Sequence, residues 1–352
     1  MDYKSLVSDG DKYRKNYIDG INSFILRKNQ ECFTDREEFM PPEDFSRKIE
    51  TYRRQFTEML GIDKFDAENL PESILTLVAE DEECCYYRVV VYITSEIPFH
   101  GLLIVPKGIK KAPLIISQHG GGGTPELCSD MNGKNNYNHM VKRLVKKGAV
   151  VFAPQLLLWN VSDDIETAPK HPIPFNRHNI DKELKRFGIS ITGLEIKGIM
   201  NSISFLSSLD IIDKEKIGMT GLSYGGYFTL YVMAADERIK AGYSNAAFND
   251  RNVYSWSDWC YFNSANTFHD AEVAALCAPR KLYVAIGTED KVFDYKSSLP
   301  EAQRVKKYYE AFHCEHNFVF DVWKGGHTLS SGDEGFDFLF SAFEQNESTT
   351  KG

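Results

Sequence analysis

The sequence predicts an α/β fold in which helices cover both faces of a mostly parallel sheet. From about residue 82, short apolar segments rich in β-branched residues alternate with segments of helical periodicity. Strands that alternate with helices are joined by right-handed crossovers, which makes the sheet mostly parallel. We expect strands at 113–119, 149–154, 216–221, 239–246, 281–287 and 316–323, and helices at 138–148, 193–209, 227–235, 298–312 and 333–345.

Two segments ahead of this alternation predict a hairpin. YYRVVVYITS (86–95) and FHGLLIVP (99–106) are β-branched and aromatic, and Glu96 to Pro98 separate them. Such a pair of runs around a short turn is typical of a hairpin. It would add antiparallel strands to one edge of the sheet.

The first 75 residues predict a helical extension that packs on a main domain formed by residues 76–352. One segment has apolar residues spaced by four, three, four and four positions, which places them on one face of an amphipathic helix: Phe45, Ile49, Tyr52, Phe56 and Leu60. Gly61 follows as a natural C-terminal cap. This extension carries no chemical motif of its own.

Composition and charge exclude several function classes. The 352 residues carry 41 basic and 50 acidic side chains, a net charge of −9 at pH 7, so the footprint of a nucleic-acid-binding protein is absent. No run approaches the roughly 18 apolar residues of a membrane span. The start, MDYKSLVSDGDKYRKNY, has no apolar stretch typical of a secretory signal. We therefore expect neither a nucleic-acid nor a membrane partner.

Cysteine usage predicts reduced thiols in a cytoplasmic protein. The seven cysteines are an odd number, and none is part of a C-x-x-C pair: Cys32, Cys84, Cys85, Cys128, Cys260, Cys277 and Cys314. Neither a disulfide framework nor a zinc site is indicated by this spacing. No metal is expected from these residues.

The strongest local signal is a G-x-S-x-G motif that runs from Gly221 to Gly225. A short apolar strand precedes it and an apolar helix follows, which is the context of a strained turn that exposes Ser223 above the sheet. The two glycines are expected because a side chain there would collide with the neighbouring strand and helix. The alternative is a glycine-rich turn with an idle serine. The context favours Ser223 as a nucleophile.

A serine nucleophile needs a base, and the base needs a group that orients it. After this kind of turn the expected chain order is serine, acid, histidine. Asp290 follows the strand 281–287, and His327 follows the strand 316–323. Both lie just past the carboxyl ends of strands, where open α/β sheets place their sites. Glu289 and Asp294 are the competing acids.

The other histidines are expected to be structural or solvent-exposed. His313 is predicted within a helix, and His316 at the wrong end of a strand. The remaining competitors are His269, His100, His139, His171 and His178.

A run of glycines, HGGGG at 119–123, follows the strand 113–119. Bare backbone N–H groups in such a turn can point at a reacting carbonyl oxygen, and one of them with the N–H of Tyr224 would form an oxyanion hole. A flexible loop or a phosphate cradle is the alternative, but the P-loop lysine and the dinucleotide-binding register are missing. His119 itself is expected to be structural.

Two long segments without periodicity interrupt the pattern, at 155–190 and 247–270. Loops of this length often carry function or cover a site. The second one is rich in aromatic residues, and Trp256 and Trp259 could form the wall of a pocket or stack on a sugar. The alternative is that these rings are ordinary core.

The motifs together resemble the α/β-hydrolase superfamily, and within it the dienelactone hydrolase and acetyl xylan esterase-like branch. The resemblance covers roughly residues 75–345 and rests on four segments: HGGGG (119–123), KIGMTGLSYGGYFTLYVMAADERIKA (216–241), APRKLYVAIGTEDKVF (278–293) and KGGH (324–327). It implies a catalytic triad of Ser223, Asp290 and His327, with Gly121 and Tyr224 as oxyanion donors.

The resemblance implies hydrolysis of a carboxylic ester through an acyl-enzyme, with no metal or organic cofactor. The partner would be a small-molecule ester, and many relatives act on acetylated or uronate-bearing sugars. A peptidase or an acyltransferase with the same triad stays open, as does a non-catalytic binding module on the same fold. The sequence leaves the oligomeric state open.

Overall fold

A computed structural model describes residues 3–65, 68–131, 135–158 and 175–344. Within them nine strands form one sheet in the order β1-β2-β3-β5-β4-β6-β7-β8-β9. The strands are β1 (Ile74–Glu80), β2 (Cys84–Thr94), β3 (Ile97–Pro106), β4 (Ala112–Gln118), β5 (Val150–Pro154), β6 (Ile212–Leu222), β7 (Ile239–Asn245), β8 (Lys281–Gly287) and β9 (Phe318–Trp323).

Helices lie between and beside the strands. They are α1 (Tyr3–Phe39), α2 (Pro42–Leu60), α3 (Pro125–Cys128), α4 (Met140–Lys146), α5 (Arg177–Lys185), α6 (Ile191–Leu206), α7 (Tyr224–Ala235), α8 (Asp270–Ala275), α9 (Tyr295–Glu310) and α10 (Glu334–Phe340). Buried side chains form two clusters, one that includes α2, α6, α7 and α9 and one that includes α4 and α10. This layered arrangement confirms the predicted fold class.

The sheet is antiparallel at one edge and parallel from β5 onwards. β1 pairs with β2 and β2 with β3, both antiparallel, and β3 also pairs antiparallel with β5. The pairs β5–β4, β4–β6, β6–β7, β7–β8 and β8–β9 are all parallel. The predicted hairpin is therefore confirmed as β2 and β3. Because β4, β6, β8 and β9 are parallel, the turns that follow them open at the same edge.

Two helices occupy most of the predicted N-terminal extension. The five apolar residues predicted to share a face in α2 are all buried in the core, and Gly61 ends the helix at a φ of 75°. α1 is fixed at its C-terminal end, where the buried Arg36 binds the carboxylates of Glu272 and Glu301, both at 2.8 Å. The predicted boundary at residues 75 and 76 falls within β1.

Four elements were not expected from the sequence, of which α3 is a single turn of four residues. β1 is an edge strand whose seven residues are all exposed, so it lacks the alternation of a half-buried strand. α5 lies in the segment 155–190, which showed no helical periodicity. α8 begins at the end of the second long loop. Residues 159–174, including His171, lie outside the described residues.

The structure also bears on the expected state of the cysteines and on the expected lack of a membrane-spanning segment. All seven cysteines have free thiols. None of the helices in the described ranges is both long and apolar enough to cross a membrane.

Candidate active site

Ser223 lies at the tip of the turn between β6 and α7. Its backbone has φ 60° and ψ −121°, a conformation that non-glycine residues rarely adopt. The Ser223 N–H donates to the carbonyl of Asn245 at the end of β7 (2.9 Å), which helps to hold the turn. Strain of this kind costs about 1–3 kcal/mol and persists where the surroundings impose it. The structure thus has the strained strand-to-helix turn that the motif predicted.

The glycines on either side of Ser223 allow β4 and α7 to approach closely. A Cβ atom at Gly225 would lie 2.1 Å from the carbonyl oxygen of Gln118 in β4. One at Gly221 would lie 2.4 Å from the backbone of Gly225. A larger residue at either position would therefore push the turn away from the sheet, as expected from the sequence.

His327 and Asp290 form a hydrogen-bonded pair beside this turn. His327 Nδ1 lies 2.9 Å from Asp290 Oδ2, and the Asp290 side chain is fully buried. The other carboxylate oxygen of Asp290 accepts the backbone N–H groups of Val292 (2.8 Å) and Phe293 (3.0 Å). Because the carboxylate can only accept, His327 Nδ1 carries the proton and Nε2 is free to act as a base.

The competing residues lie elsewhere. Glu289 is exposed, and its backbone N–H donates to Gly325. Asp294 is the N-cap of α9, where its carboxylate accepts the N–H of Lys296 (3.0 Å). His269 is buried, and burial lowers its pKa well below the ordinary value.

A segment before α4 holds the loop that carries His327. The Asn136 side chain donates to the carbonyl of His327 (3.0 Å), and the Asn136 carbonyl accepts the N–H of Leu329 (2.9 Å). The Asn138 side chain also contacts Thr328 Oγ1, at 3.2 Å. These contacts hold the backbone of His327 and the two residues after it.

Ser223 and His327 line one cavity of about 290 Å³. Gly121, Tyr224, Tyr137 and Trp256 are also part of its wall. Within the described part of the chain the His327 ring forms a hydrogen bond only with Asp290. It has no hydrogen bond to Ser223, but both residues line the same cavity. Hydrogen bonds between nucleophile and base are often long before substrate binds.

The glycine run lies beside the serine turn at the wall of this cavity. A Cβ atom at Gly120 would lie 3.2 Å from the Cβ of Ser223, so this backbone touches the strained turn. The Gly120 N–H donates to the hydroxyl of Tyr137 (2.8 Å). The next N–H, of Gly121, and that of Tyr224 in the first turn of α7 have no acceptor among the described residues. The structure therefore brings both predicted donors to the wall of the cavity.

Tyr137 is a residue that the sequence did not point out. Its side chain is buried, and burial raises the pKa of its hydroxyl, so it remains protonated at neutral pH. The hydroxyl also lies next to Gly123, where a Cβ atom would come within 2.5 Å of it. Tyr137 thus packs on the glycine run and sets its conformation. No local spacing links the two segments, so only the tertiary structure reveals the contact.

His119 has a structural role, as expected. It is fully buried, its Nε2 accepts the N–H of Leu156 (3.1 Å), and its Nδ1 contacts the carbonyl of Gly120 (2.9 Å). The ring therefore ties the glycine run to the segment after β5.

The two tryptophans proposed for substrate binding have different positions. Trp256 is half-buried and lines the cavity. Trp259 is buried and is not part of that wall; it stacks on Tyr227 at 4.5 Å between ring centroids and lies edge-on to Trp256 at 4.2 Å. Trp259 is therefore core packing beneath Trp256, which corrects the expectation for that residue.

A cluster of buried charged side chains lies next to Tyr224, whose ring contacts Trp256 and Trp259. Asp258 binds Arg177 (2.8 Å) and accepts the Tyr224 hydroxyl (3.2 Å), and Arg177 also binds Glu195 (2.9 Å). Burial raises the pKa of the Tyr224 hydroxyl well above its ordinary value, so this group stays a donor. The cluster links α5, α6 and α7 below the site.

Two further observations delimit the site. A second cavity, of about 330 Å³, lies between the β2–β3 hairpin and α5–α6, but it contains neither Ser223 nor His327. Among the described residues no group of three or more histidine, cysteine or acidic side chains could hold a metal ion.

The sheet, its crossovers and the strained serine turn define the α/β-hydrolase fold. The family model of the prolyl oligopeptidase family matches residues 192–307, less than half of the chain, a region that includes Ser223 and Asp290. No curated protein matches the chain by sequence.

Solved structures of carbohydrate esterases have the same fold. A candidate acetyl xylan esterase from Bacteroides fragilis NCTC 9343 is 16% identical with a TM-score of 0.64, over 86% of this chain and 83% of that one. A methylesterase is 20% identical with a TM-score of 0.64, over 85% of this chain and 64% of that one. A glucuronoyl esterase from Solibacter usitatus is 14% identical with a TM-score of 0.60, over 83% and 93%. The predicted fold and its likeness to acetyl xylan esterases are thus confirmed.

Proposed function

We propose that the protein is a serine-dependent carboxylic ester hydrolase with Ser223, His327 and Asp290 as its catalytic triad. One observation carries the proposal: the serine on the strained turn shares a cavity with a histidine whose far nitrogen is held by a buried carboxylate. This is the relation of nucleophile, base and orienting acid that defines such triads, independent of sequence position.

The reaction follows from these positions. Ser223 Oγ attacks the ester carbonyl carbon while His327 Nε2 takes up the serine proton. The imidazolium that forms is stabilised by Asp290, and it then protonates the departing alcohol. A water molecule, deprotonated by the same nitrogen, hydrolyses the acyl-enzyme and regenerates Ser223.

The oxyanion of each tetrahedral intermediate would bind to the backbone N–H groups of Gly121 and Tyr224. Both N–H groups are at the cavity wall and have no acceptor among the described residues. Donors that are already in place need no reorganisation in the transition state, and loss of one typically costs about 10²–10³ in rate. Every step is carried by these side chains and N–H groups, so the proposal involves no metal or organic cofactor.

An ester of a sugar is the substrate class that we propose, acetylated or uronate-bearing. The names of the similar structures support it, since they are esterases of carbohydrates. The half-buried ring of Trp256 in the cavity wall also supports it, because an aromatic face can stack on a sugar ring. We further propose a cytoplasmic location, which the seven free thiols support.

The test compares the wild type with Ser223→Ala on a panel of esters. The panel contains aryl acetate and butyrate, acetylated xylo-oligosaccharides and a methyl ester of glucuronic acid. We expect Ser223→Ala to lower kcat by several orders of magnitude without a change in thermal unfolding, since triad losses are that large. A fluorophosphonate probe should label the wild type and not the variant. Ser208→Ala, in the exposed turn that follows α6, is the matched control.

Retention of more than about a tenth of kcat by Ser223→Ala would refute the triad, because a lost nucleophile removes nearly all covalent catalysis. If aryl esters are cleaved but no sugar ester is preferred, the proposed substrate class is wrong while the ester hydrolase stands.

A peptidase is the second candidate, and the match to the prolyl oligopeptidase family model favours it. The same triad can cleave an amide, so the active-site geometry does not separate the two. Short proline-containing peptides with a chromogenic leaving group belong in the same panel. Peptide turnover above ester turnover, lost in Ser223→Ala, would replace the esterase proposal with a peptidase.

A further inference from the structure

The N-terminal part of α1 extends away from the body of the protein. Every residue from 3 to 27 is exposed except the half-buried Gly10, whereas Cys32 and Arg36 near the other end are buried. At about 1.5 Å per residue this exposed part is roughly 37 Å long. Half of the exposed large apolar side chains in the described residues lie on α1. Exposed apolar surface of this density marks an interaction site.

Eight positions form one stripe along this part of the helix. Their spacings alternate between three and four residues, which is the repeat of a helix that pairs with another helix. These residues, which we name the α1 stripe, are Tyr3, Leu6, Gly10, Tyr13, Tyr17, Gly20, Phe24 and Arg27. The opposite face carries mostly charged and polar side chains, with Leu26 as its exposed apolar residue. Two of its ion pairs stay within the helix, Lys15 with Asp19 (2.6 Å) and Arg14 with Asp11. The helix therefore has a distinct side for a partner.

The α1 stripe does not face the body. Phe24 and Arg36 are twelve residues apart, so at about 3.6 residues per turn their side chains point roughly 120° apart around the helix. Arg36 faces Glu272 and Glu301 in the interior. The stripe thus stays uncovered: Tyr13 is 63% exposed and Tyr17 is 74% exposed.

The order of residues in the α1 stripe is nearly the same in both directions. Read from either end, the stripe pairs Leu6 with Phe24, Gly10 with Gly20, and Tyr13 with Tyr17. At the two ends Tyr3 would meet Arg27, a favourable contact of a cation with an aromatic ring. In an antiparallel pair related by a two-fold axis, residue i of one copy meets residue j of the other and the reverse. This order therefore places bulky residues opposite bulky ones and glycine opposite glycine.

We propose that the α1 stripe binds the α1 stripe of a second copy of this chain, with the two helices antiparallel. In this pairing bulky residues meet bulky ones at four levels, two of Leu6 with Phe24 and two of Tyr13 with Tyr17, and the glycines let the backbones approach between them. Large aromatic side chains bury about 150–250 Å² each. At the observed exposures the stripe with its neighbours Val7 and Ile21 offers roughly 700 Å² per chain, close to the about 800 Å² per partner of a stable interface.

The first test measures the mass of the full chain by sedimentation equilibrium over a range of concentrations. We expect a dimer, twice the chain mass of 40.1 kDa. Tyr17→Asp places a charge in the centre of the interface and should halve the measured mass. Lys15→Asp, which introduces the same residue on the charged face, should leave the dimer intact. Ester turnover, if present, should be the same in all three, because neither position belongs to the site.

The second test determines the direction of the helices. A mixture of Leu6→Cys and Phe24→Cys chains should form a disulfide-linked dimer under mild oxidation, while either variant alone and the wild type should not. Cross-linking of Leu6→Cys with itself would show parallel helices and overturn the proposal.

Three other outcomes would also overturn it. A wild-type monomer at all concentrations does so. A dimer that Tyr17→Asp does not weaken would have to form through another surface. A monomer that binds vesicles of phosphatidylcholine and phosphatidylglycerol through α1 would make the stripe a membrane-surface helix instead.

Discussion

Replacement of Asp290 by asparagine should abolish turnover while leaving the fold intact. Asp290 uses one carboxylate oxygen to accept the N–H groups of Val292 and Phe293, and the other to accept His327 Nδ1–H. In Asp290→Asn the two backbone donors fix the amide oxygen in the first position, because an NH₂ group there would face two donors. The NH₂ group must then point at His327.

This orientation determines the size of the effect. An NH₂ group facing Nδ1 requires that nitrogen to accept, so the imidazole proton moves to Nε2, the nitrogen that should receive the serine proton. The imidazolium is also destabilised, because its Nδ1–H would then meet another donor. An equivalent amide replacement in a serine protease drops kcat by about 10⁴, roughly 5.4 kcal/mol of transition-state stabilisation. We expect a loss of that order here.

The assay is kcat on one activated aryl ester at pH 8 for Asp290→Asn and two control variants. Asp294→Asn keeps a good N-cap for α9, and Glu289→Gln changes an exposed side chain, so both should stay within about tenfold of wild type. Activity of Asp290→Asn within tenfold of wild type would refute this reasoning. A large loss of kcat in Asp294→Asn would instead assign the acid of the triad to Asp294, while the roles proposed for Ser223 and His327 would stand.

Two further predictions concern the wall of the site. Tyr137→Phe removes the acceptor of the Gly120 N–H; leaving that buried donor unpaired should cost about 1–3 kcal/mol of stability, and the disturbed glycine run should lower kcat more than it raises KM. Calorimetry with steady-state kinetics checks this, and an unchanged kcat with lowered stability would leave Tyr137 a purely structural residue. Trp256→Ala should raise KM for a sugar ester more than for an aryl ester, whereas Trp259→Ala should cost about 3–5 kcal/mol in urea unfolding. Equal KM effects on both esters would contradict the role of Trp256.

The parts of the site that lie at strand ends could be predicted from the sequence. Ser223, Asp290 and His327 each follow a strand of the parallel part of the sheet, and the carboxyl ends of such strands share one edge. The glycine pattern around Ser223 follows from a close approach of backbones, which only glycine permits. These signals are local, so the sequence alone contains them.

What could not be predicted depends on contacts between distant segments. Tyr137 contacts the glycine run only because the segment before α4 folds back on it. Trp256 and Trp259 are three residues apart in an aromatic loop, and composition cannot tell which ring faces the cavity. β1 was missed for a different reason, since a strand exposed on both faces has no alternation of polar and apolar residues.

The anchoring of α1 determines how far the chain can be shortened. Removal of residues up to 27 would delete side chains that contact solvent rather than core. A cut beyond Arg36 would leave Glu272 and Glu301 in the interior with Arg304 as the remaining cation of that cluster. Breaking a buried ion pair by removing one partner typically costs about 3–5 kcal/mol, because it leaves the other charge uncompensated. A protein shortened past Arg36 would therefore be less stable than one shortened to residue 27. The minimal catalytic unit thus begins within a helix that carries no catalytic residue.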